Sequence, residues 1–440
     1  MEGDSRLPND ALVEVIPTRK PLRDRSRFIA STARREIHGG ALQRTELPPT
    51  LKGFFFFSGR SDDESDDEDE PPLNFELPPK RYGQFANLLP RSAAPLVDID
   101  PSFSFLTKAL PKIDYIYLLD SRNGLLLFGH LEDARNTLET CYIVCNPSTE
   151  QWVAVPGCGK IDESRNRSSN TMHTYLLFDP AASSHFHIIL FWEEHEDDDQ
   201  VTITAQAYSS ETGEWSSEDD WSEEERQGQR EQWRIRNAHD ISRDIHYDSP
   251  GAMVNGMLYL IYAGNGILQV DAQGKTRAII PAPGVYQHQV PDHFSNIVLF
   301  IGQSQGHLHC IIQEGHGEVV KLPYRCQLGE VQMDAYDMKW REHGLSFWVL
   351  QDPDTQEWVL KGRLNYLEQF GDESDLCVAA MHQDCNLVFL VQCWDAQMIS
   401  YDIDRREFRA VDADLKDGFD FTPYVPYSSE LFLGVIGAHR

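Results

Sequence analysis

One hairpin recurs along this 440-residue chain, and its recurrence limits the possible folds more than any other feature. An apolar strand runs into a polar turn, and Thr-x-x-Trp opens the next strand. The copies read YIVCNPSTEQWVAV around Thr149 and Trp152, AQAYSSETGEWSS around Thr212 and Trp215, and FWVLQDPDTQEWVLK around Thr355 and Trp358. ISYDIDRREFRAV repeats the pattern with Phe408 in place of Trp. ILQVDAQGKTRAI keeps the turn through Asp271 and Gly274 without the aromatic. Asn146-Pro147 and Asp352-Pro353 preset their turns, because Pro fixes φ and an Asx side chain bonds its own backbone. Gly213 supplies a positive φ. Each Trp is expected to cover apolar area where neighbouring sheets meet. If Trp358 is fully buried, its replacement by Ala costs about 3–5 kcal/mol.

A second motif precedes the hairpin: Gly or Asn, then an apolar strand. It occurs as Asn123-Gly124-LLLF, Asn255-Gly256-MLYL, Gln305-Gly306-HLHC and Cys385-Asn386-LVFL, and YLLFDP at Tyr175 is assigned the same place before Thr212. Five strand-plus-hairpin units therefore lie between about residue 113 and residue 411. Their spacing is near the roughly 40 to 50 residues of a propeller blade, stretched by insertions. Short aromatic and branched strands such as Phe54–Phe57, Leu125–Phe128, His187–Trp192 and Phe347–Leu350 support the same class. The expected fold is mainly β, a propeller of about six irregular, kelch-like blades behind a short helical module. A sixth blade is expected from strands near Phe54 and Leu96 with the tail PYVPYSSELFLGV, since pairing the two ends leaves no open edge. Two stacked β-sandwiches are the alternative.

Residues 7 to 37 read as irregular helix, cut by Pro17 and Pro21 and followed by a basic run from Arg19 to Arg35. Helix is expected mainly within the first 40 residues. The expected organisation is a helical module over 1–44, a linker with first strands over 45–112, and the propeller over 113–440.

The formal charge is −31, which argues against nucleic acid or an anionic membrane as a general partner. Acid is concentrated in Ser61–Glu70, Glu193–Asp199 and Glu218–Glu225. These read as solvated insertions or as docking strips for a basic partner, and Ser61 and Ser65 as candidate phosphorylation positions. No apolar window reaches a membrane span, and MEGDSRLPND lacks a signal-peptide pattern, so cytoplasm or nucleus is expected. The eight cysteines form no CxxC pairs and read as small buried hydrophobes.

From Leu47 onward the chain resembles the plant F-box proteins that carry a C-terminal, propeller-like F-box-associated domain. The matching segments include LPPTLKGFFF, PLVDIDPSFSFL, LLDSRNGLLLF, YIVCNPSTEQWVAVP, VNGMLYLIY, FWVLQDPDTQEWVLKGRL and MHQDCNLVFLV, in that order. The resemblance implies an F-box that docks on the Skp-type adaptor of a cullin-RING ubiquitin ligase, and a propeller that selects a substrate protein. Leu7, Pro8, Asp10, Leu12 and Glu14 resemble the opening of that F-box. Pro21, Leu22, Arg27 and Phe28 resemble its middle, and Arg35 and Ile37 its last helix. Ile16 shares a helical face with Leu12, four residues away. Leu7, Pro8, Asp10, Leu12, Ile16, Leu22 and Phe28 are thus the implied adaptor contacts. The sequence departs from the family at Thr18, Arg19 and Lys20, where apolar residues are usual. It departs again over Ile29–Arg34, where the usual Cys and Trp are missing. A lost apolar anchor costs on the order of 1–4 kcal/mol of contact. These departures predict weakened adaptor binding and frame a second reading, an interaction propeller without ligase contact.

No phosphate-binding GxGxxG or GxxxxGK[ST] and no GxSxG elbow is present, so the sequence names no cofactor and no catalytic residue. His307 and His309 alternate on one strand, with His288 and His293 nearby, but no third ligand accompanies them, and no metal is expected. A propeller hydrolase is the third and weakest reading, by fold analogy alone. Eight of the ten residues Ser61–Glu70 are acidic and none is apolar, so burial cannot offset their ordering entropy. Deleting them should leave the melting temperature nearly unchanged. A large drop would show that they pack on the fold.

Overall fold

The computed structural model describes residues 51–58, 84–88, 99–110, 115–131, 141–158, 172–195, 201–217, 222, 251–262, 266–284, 294–328, 331–365, 376–392, 397–411 and 418–427. They belong to one compact unit, Thr45–Arg440. The expected helical module, with Leu7, Pro8, Asp10, Leu12, Ile16, Leu22 and Phe28, lies outside the described residues, as do Ser61–Glu70, Leu96, His288 and His293.

Two strands, β1 (Gly53–Ser58) and β2 (Gln84–Asn87), come first, then a short helix α1 (Ser104–Ala109). Asp100 prepares the helix by accepting the backbone N–H groups of Ser102 and Ser104, both at 2.9 Å. Four-stranded antiparallel meanders follow. Blade 1 is β3 (Tyr115–Arg122), β4 (Leu125–Leu131), β5 (Cys141–Asn146) and β6 (Gln151–Val155). Blade 2 is β7 (Met172–Leu177), β8 (His187–His195), β9 (Val201–Ser209) and β10 (Glu214–Ser217). Blade 3 is β11 (Ala252–Val254), β12 (Met257–Tyr262), β13 (Gly266–Val270) and β14 (Thr276–Pro281). Blade 4 is β15 (Phe294–Ser304), β16 (His307–Leu328), β17 (Val331–Asp352) and β18 (Glu357–Leu364). Blade 5 is β19 (Leu376–Met381), β20 (Leu387–Gln392), β21 (Gln397–Asp402) and β22 (Glu407–Ala410). The last strand, β23 (Gly418–Tyr424), returns to pair with β1, so blade 6 has the order β2-β1-β23.

The first strands of successive blades contact one another around the axis, and β23 fills that inner place in blade 6. The result is a six-bladed β-propeller closed by both ends of the chain. The two-sandwich alternative falls, because each sheet packs against neighbours on both sides. Leu125, Leu126, Leu127 and Phe128 show how. Leu125 and Leu127 join a core with Leu176, Phe178 and Ile188 of blade 2, whereas Leu126 and Phe128 join one with Phe55 and Tyr424 of blade 6. A strand buried on both faces must be apolar at every position, not at alternate ones, which is why these strands read as unbroken apolar runs. Phe54 and Phe56 face blade 5 through Phe389, while Phe55 faces blade 1.

Several expectations need correction. The closing strand is GFDFTPY, and only the first residues of the expected tail contribute to it. β1 pairs with Gln84–Asn87 on one side and with β23 on the other. The ring therefore begins well before residue 113 and takes in strands from the 45–112 segment. Helix α1, within that segment, was not expected. YLLFDP lies on β7, the first strand of its blade, and the equivalent of the other apolar strands is β8. The cause is a longer connection. Asp179 closes a wider turn there, accepting the N–H of Ala181 at 3.0 Å, where blades 1, 3 and 4 use two residues.

Those two-residue turns join first and second strands at Asn123-Gly124, Asn255-Gly256 and Gln305-Gly306. All six residues have positive φ, the conformation of a type I′ hairpin. The Thr-x-x-Trp turns join third and fourth strands, and each is tied by a side chain two residues before a backbone N–H. Asn146 takes Ser148, Ser209 takes Glu211, Asp271 takes Gln273, Asp352 takes Asp354, and Asp402 takes Asp404, at 2.9 to 3.3 Å. Each turn ends in a left-handed residue: Glu150, Gly213, Gly274, Gln356 or Arg406.

Trp152, Trp215, Trp358 and Phe408 each take the second position of a blade's outer strand. Trp152 is buried against Phe55 and Tyr424 of the preceding blade. Trp215 donates its indole N–H to the Pro156 carbonyl at 2.7 Å, and Trp358 to the Pro281 carbonyl at 3.2 Å, again one blade back. Phe408 packs against Tyr401 of its own blade, with ring centroids 4.8 Å apart. Trp358 is only half-buried, so Trp358→Ala should cost about 2 kcal/mol, less than a fully buried indole would. Thermal or urea unfolding measures this, and a cost above about 4 kcal/mol would show a larger contact than the fold provides.

Gly124 and Gly256 separate two causes of glycine dependence. At Gly256 an added Cβ meets nothing within 4 Å, so Gly256→Ala should cost only the strain of positive φ, about 1 kcal/mol. At Gly124 a Cβ would also collide with the backbone nitrogen and Cβ of Tyr427. Gly124→Ala should therefore cost about 2–4 kcal/mol. Equal losses at the two positions would refute the contact between turn and tail.

Candidate recognition site on the turn face

Strand direction alternates within each blade, so the two-residue turns and the Thr-x-x-Trp turns share one face of the ring. Connections from second to third strands, and from blade to blade, leave at the other edge. The strands that lead into the acidic blocks end at that other edge. The segment between β1 and β2, the one between β8 and β9, and the one between β10 and β11 all depart from it. Blade 4 also lengthens there. β16 and β17 pair with each other out to Leu328 and Val331, whereas β15 reaches only His316 and β18 only Leu345.

The turn face is stapled blade to blade. Asn123 donates its side-chain amide to the Phe178 carbonyl at 2.7 Å. The Gln305 N–H reaches the Gln383 carbonyl at 2.6 Å, and the Ser304 hydroxyl the Cys385 carbonyl at 3.0 Å. Asn146 donates to the Tyr427 carbonyl at 2.8 Å, and the hydroxyls of Ser148 and Tyr424 meet at 2.9 Å across the ring closure. These bonds hold the rim rigid without a covalent link.

Inside the rim lies an axial pocket of about 70 Å3, bounded by the ends of β3, β15, β19 and β23, by β11 and by Leu51. Three of these inner strands carry a register shift just before the pocket, at Leu118/Asp120, Val298/Phe300 and Val378/Ala380. A bulge re-aims the side chains that follow it, and bulges concentrate beside functional sites. The pocket wall is mostly apolar, with Phe300, Ala380 and Met381 among its residues. Among the described residues Arg122 is the single charged one that lines it, and Gln303 and Gln383 add amides.

Arg122 is positioned by a buried acid. Its Nε lies 3.4 Å from Asp120 Oδ2, and its guanidinium donates to the Gly251 carbonyl of blade 3. Asp120 also accepts the N–H of Leu176 at 2.9 Å and that of Ser121 at 2.8 Å. Burial pushes the Asp120 carboxyl up from its ordinary range, while Arg122 and the two N–H groups oppose that rise. Each carboxylate oxygen accepts one backbone N–H bond, and these bonds with the neighbouring guanidinium favour the ionised form against burial. The pair thus ties blades 1, 2 and 3 together and presents a fixed cation to the axis.

Neither Asp120 nor Arg122 was singled out from the sequence, although both stand in the LLDSRNGLLLF segment. An acid inside an apolar strand, two residues before an Arg and three before Asn-Gly, was the available signal. The four aromatic repeat positions lie on outer strands, away from the axis, and serve blade packing. His307 is exposed and His309 buried, so the two do not present one ligand face. Burial holds the His309 imidazole down at about 4. Among the described residues no group of three or more His, Cys, Asp or Glu is placed to hold a metal ion. Among them, too, no helix is long and apolar enough to cross a membrane.

Solved structures similar to this one include hydrazine synthase of Kuenenia stuttgartiensis, with a TM-score of 0.38 at 9% identity over 87% of this chain and 47% of that one. AztD of Citrobacter koseri gives 0.28 at 8% identity over 71% and 75%, and a glycosyl hydrolase from Bacteroides ovatus gives 0.25 at 9% over 68% and 85%. The chain spans about half the length of the first of these, and likenesses this distant carry no functional argument. No curated protein matches the sequence. A family model described as F-box protein At3g26010-like, beta-propeller, matches residues 84–424, from the first residue of β2 to the last of β23. The match covers most of the chain, and the chain belongs to that F-box protein β-propeller family.

Proposed function

We propose that this protein is a non-catalytic substrate-recognition subunit of a Skp-cullin-F-box ubiquitin ligase, working in the cytoplasm or nucleus. In this reading the propeller holds a target protein and the N-terminal segment holds the Skp-type adaptor. The observation that carries it is membership of an F-box protein propeller family over residues 84–424. The order Leu7, Pro8, Asp10, Leu12 at the N-terminus supports it, resembling an F-box opening. The rigid rim and the axial pocket suit recognition, since binding sites favour loops and turns held by a stiff scaffold. The net charge of −31 speaks against nucleic acid as the target.

A second reading has an observation of its own. Thr18, Arg19 and Lys20, and the Ile29–Arg34 stretch without Cys or Trp, replace residues an adaptor would bury. On that reading the propeller is an interaction module with no ligase contact.

Capture on the Skp-type adaptor separates the two. The full chain should be retained more weakly than an intact F-box protein, with marked loss as salt rises, because basic residues steer but do not anchor. A chain starting at Thr45 should not be retained. Leu12→Asp should abolish retention by placing an unpaired charge in a dry contact. Retention that survives both changes would put the contact on the propeller and remove the F-box assignment. No retention of the full chain at low salt would establish the second reading.

A further inference from the structure

We propose that the axial pocket binds a carboxylate carried by a partner chain, received by Arg122. This rests on the reading of the propeller as a recognition module and names the chemistry its pocket selects. Arg122 is held from two sides, by Asp120 at its Nε and by the Gly251 carbonyl at one Nη. Its remaining N–H groups have no acceptor among the described residues, and its side chain keeps 16% of its surface exposed where it borders the pocket. A guanidinium needed only to neutralise Asp120 has no reason to line the axial pocket. Among the described residues this one sits as the single cation lining the pocket, beside Gln303, Gln383 and an apolar wall, with no carboxylate among the described lining residues. The planar fork of Arg matches a carboxylate in two parallel hydrogen bonds, and the apolar wall takes the side chain next to it.

The overall charge of −31 does not forbid an anion here. The strands that lead into the acidic blocks end at the opposite edge from the turn face. Asp120 acts at short range and makes the pair neutral overall. This favours a singly charged carboxylate over a doubly charged phosphate. Two sources share the chemistry, the C-terminus of a chain and an Asp or Glu side chain.

The test uses the full-length protein and three N-acetylated peptides: Ala-Ala-Leu with a free carboxylate, the same with a carboxamide, and Ala-Glu-Leu carboxamide. Titration calorimetry should show one of the two acids binding at least about tenfold tighter than the all-amide peptide, as expected for one charge-assisted contact. Which acid binds identifies the source. The double variant Asp120→Asn, Arg122→Gln removes both charges and leaves neither unpaired; it gives up one of the two N–H acceptors and so should melt somewhat lower, and it should lose the preference. The double variant Gln303→Glu, Gln383→Glu leaves the buried pair intact and should lose it by repulsion, which decides the matter if the first variant does not fold. Equal binding of acid and amide, or a preference that survives the Gln303 and Gln383 change, overturns the proposal. So does tighter binding of a phosphoserine peptide than of either acid. Absence of peptide binding at millimolar concentration, with adaptor capture retained, would sink the pocket proposal and leave the ligase reading standing.

Discussion

Leu125 and Leu127 pack toward blade 2 while Leu126 and Phe128 pack toward blade 6, and this two-sided burial is what makes the ring necessary. A sheet with both faces apolar cannot stand alone in water, nor can a stack of such sheets end without exposing a last face. Closing the stack on itself is the arrangement that leaves none exposed. Closure depends on β1 and β23, which come from opposite ends of the fold. Phe55 and Tyr424 pack there with ring centroids 5.4 Å apart and carry the core of blade 6 into blade 1. The same residues therefore complete a blade and join the ends of the chain.

The meander divides the surface into two kinds. Most turns of one face are short and carry positive φ, and several are tied to their neighbours by side-chain amides and hydroxyls. Such turns leave little room for insertion, because one extra residue would change the register of two strands. The other edge has no such constraint, and the strands that lead into the acidic segments end there. The Arg122–Asp120 pair sits on the rigid side, where a buried carboxylate held by two backbone N–H groups keeps a guanidinium in place at the axis. A loop would not hold it so firmly, since binding would first have to offset the loop's own ordering entropy.

Much of this architecture was legible in the residues. The Thr-x-x-Trp and Asn-Gly motifs carry local chemistry strong enough to place turns without help from distant contacts. The turns at Asn123-Gly124, Asn255-Gly256 and Gln305-Gly306 are where those dipeptides stand, because few other residue pairs adopt positive φ so readily. Blade 2 was misread for the same reason. Its first turn has no such dipeptide, and without one an apolar run does not declare whether it is a first or a second strand. Phe54 was legible as a closing strand, but its partner Gln84–Asn87 was not, since four residues with one aromatic carry no periodicity.

The sequence by itself determined the hairpins, the strand-rich body, the number of repeating units and the family to which they point, because each follows from chemistry within about a dozen neighbouring residues. Tertiary structure alone decided which strands close the ring, that the acidic segments leave from one edge, and that Arg122 meets the Gly251 carbonyl of a blade 129 residues away in sequence. The physical reason is that Asp120 and Arg122 have no distinguishing local pattern. Their meaning comes from burial and from partners supplied by three blades, and those are properties of the closed ring.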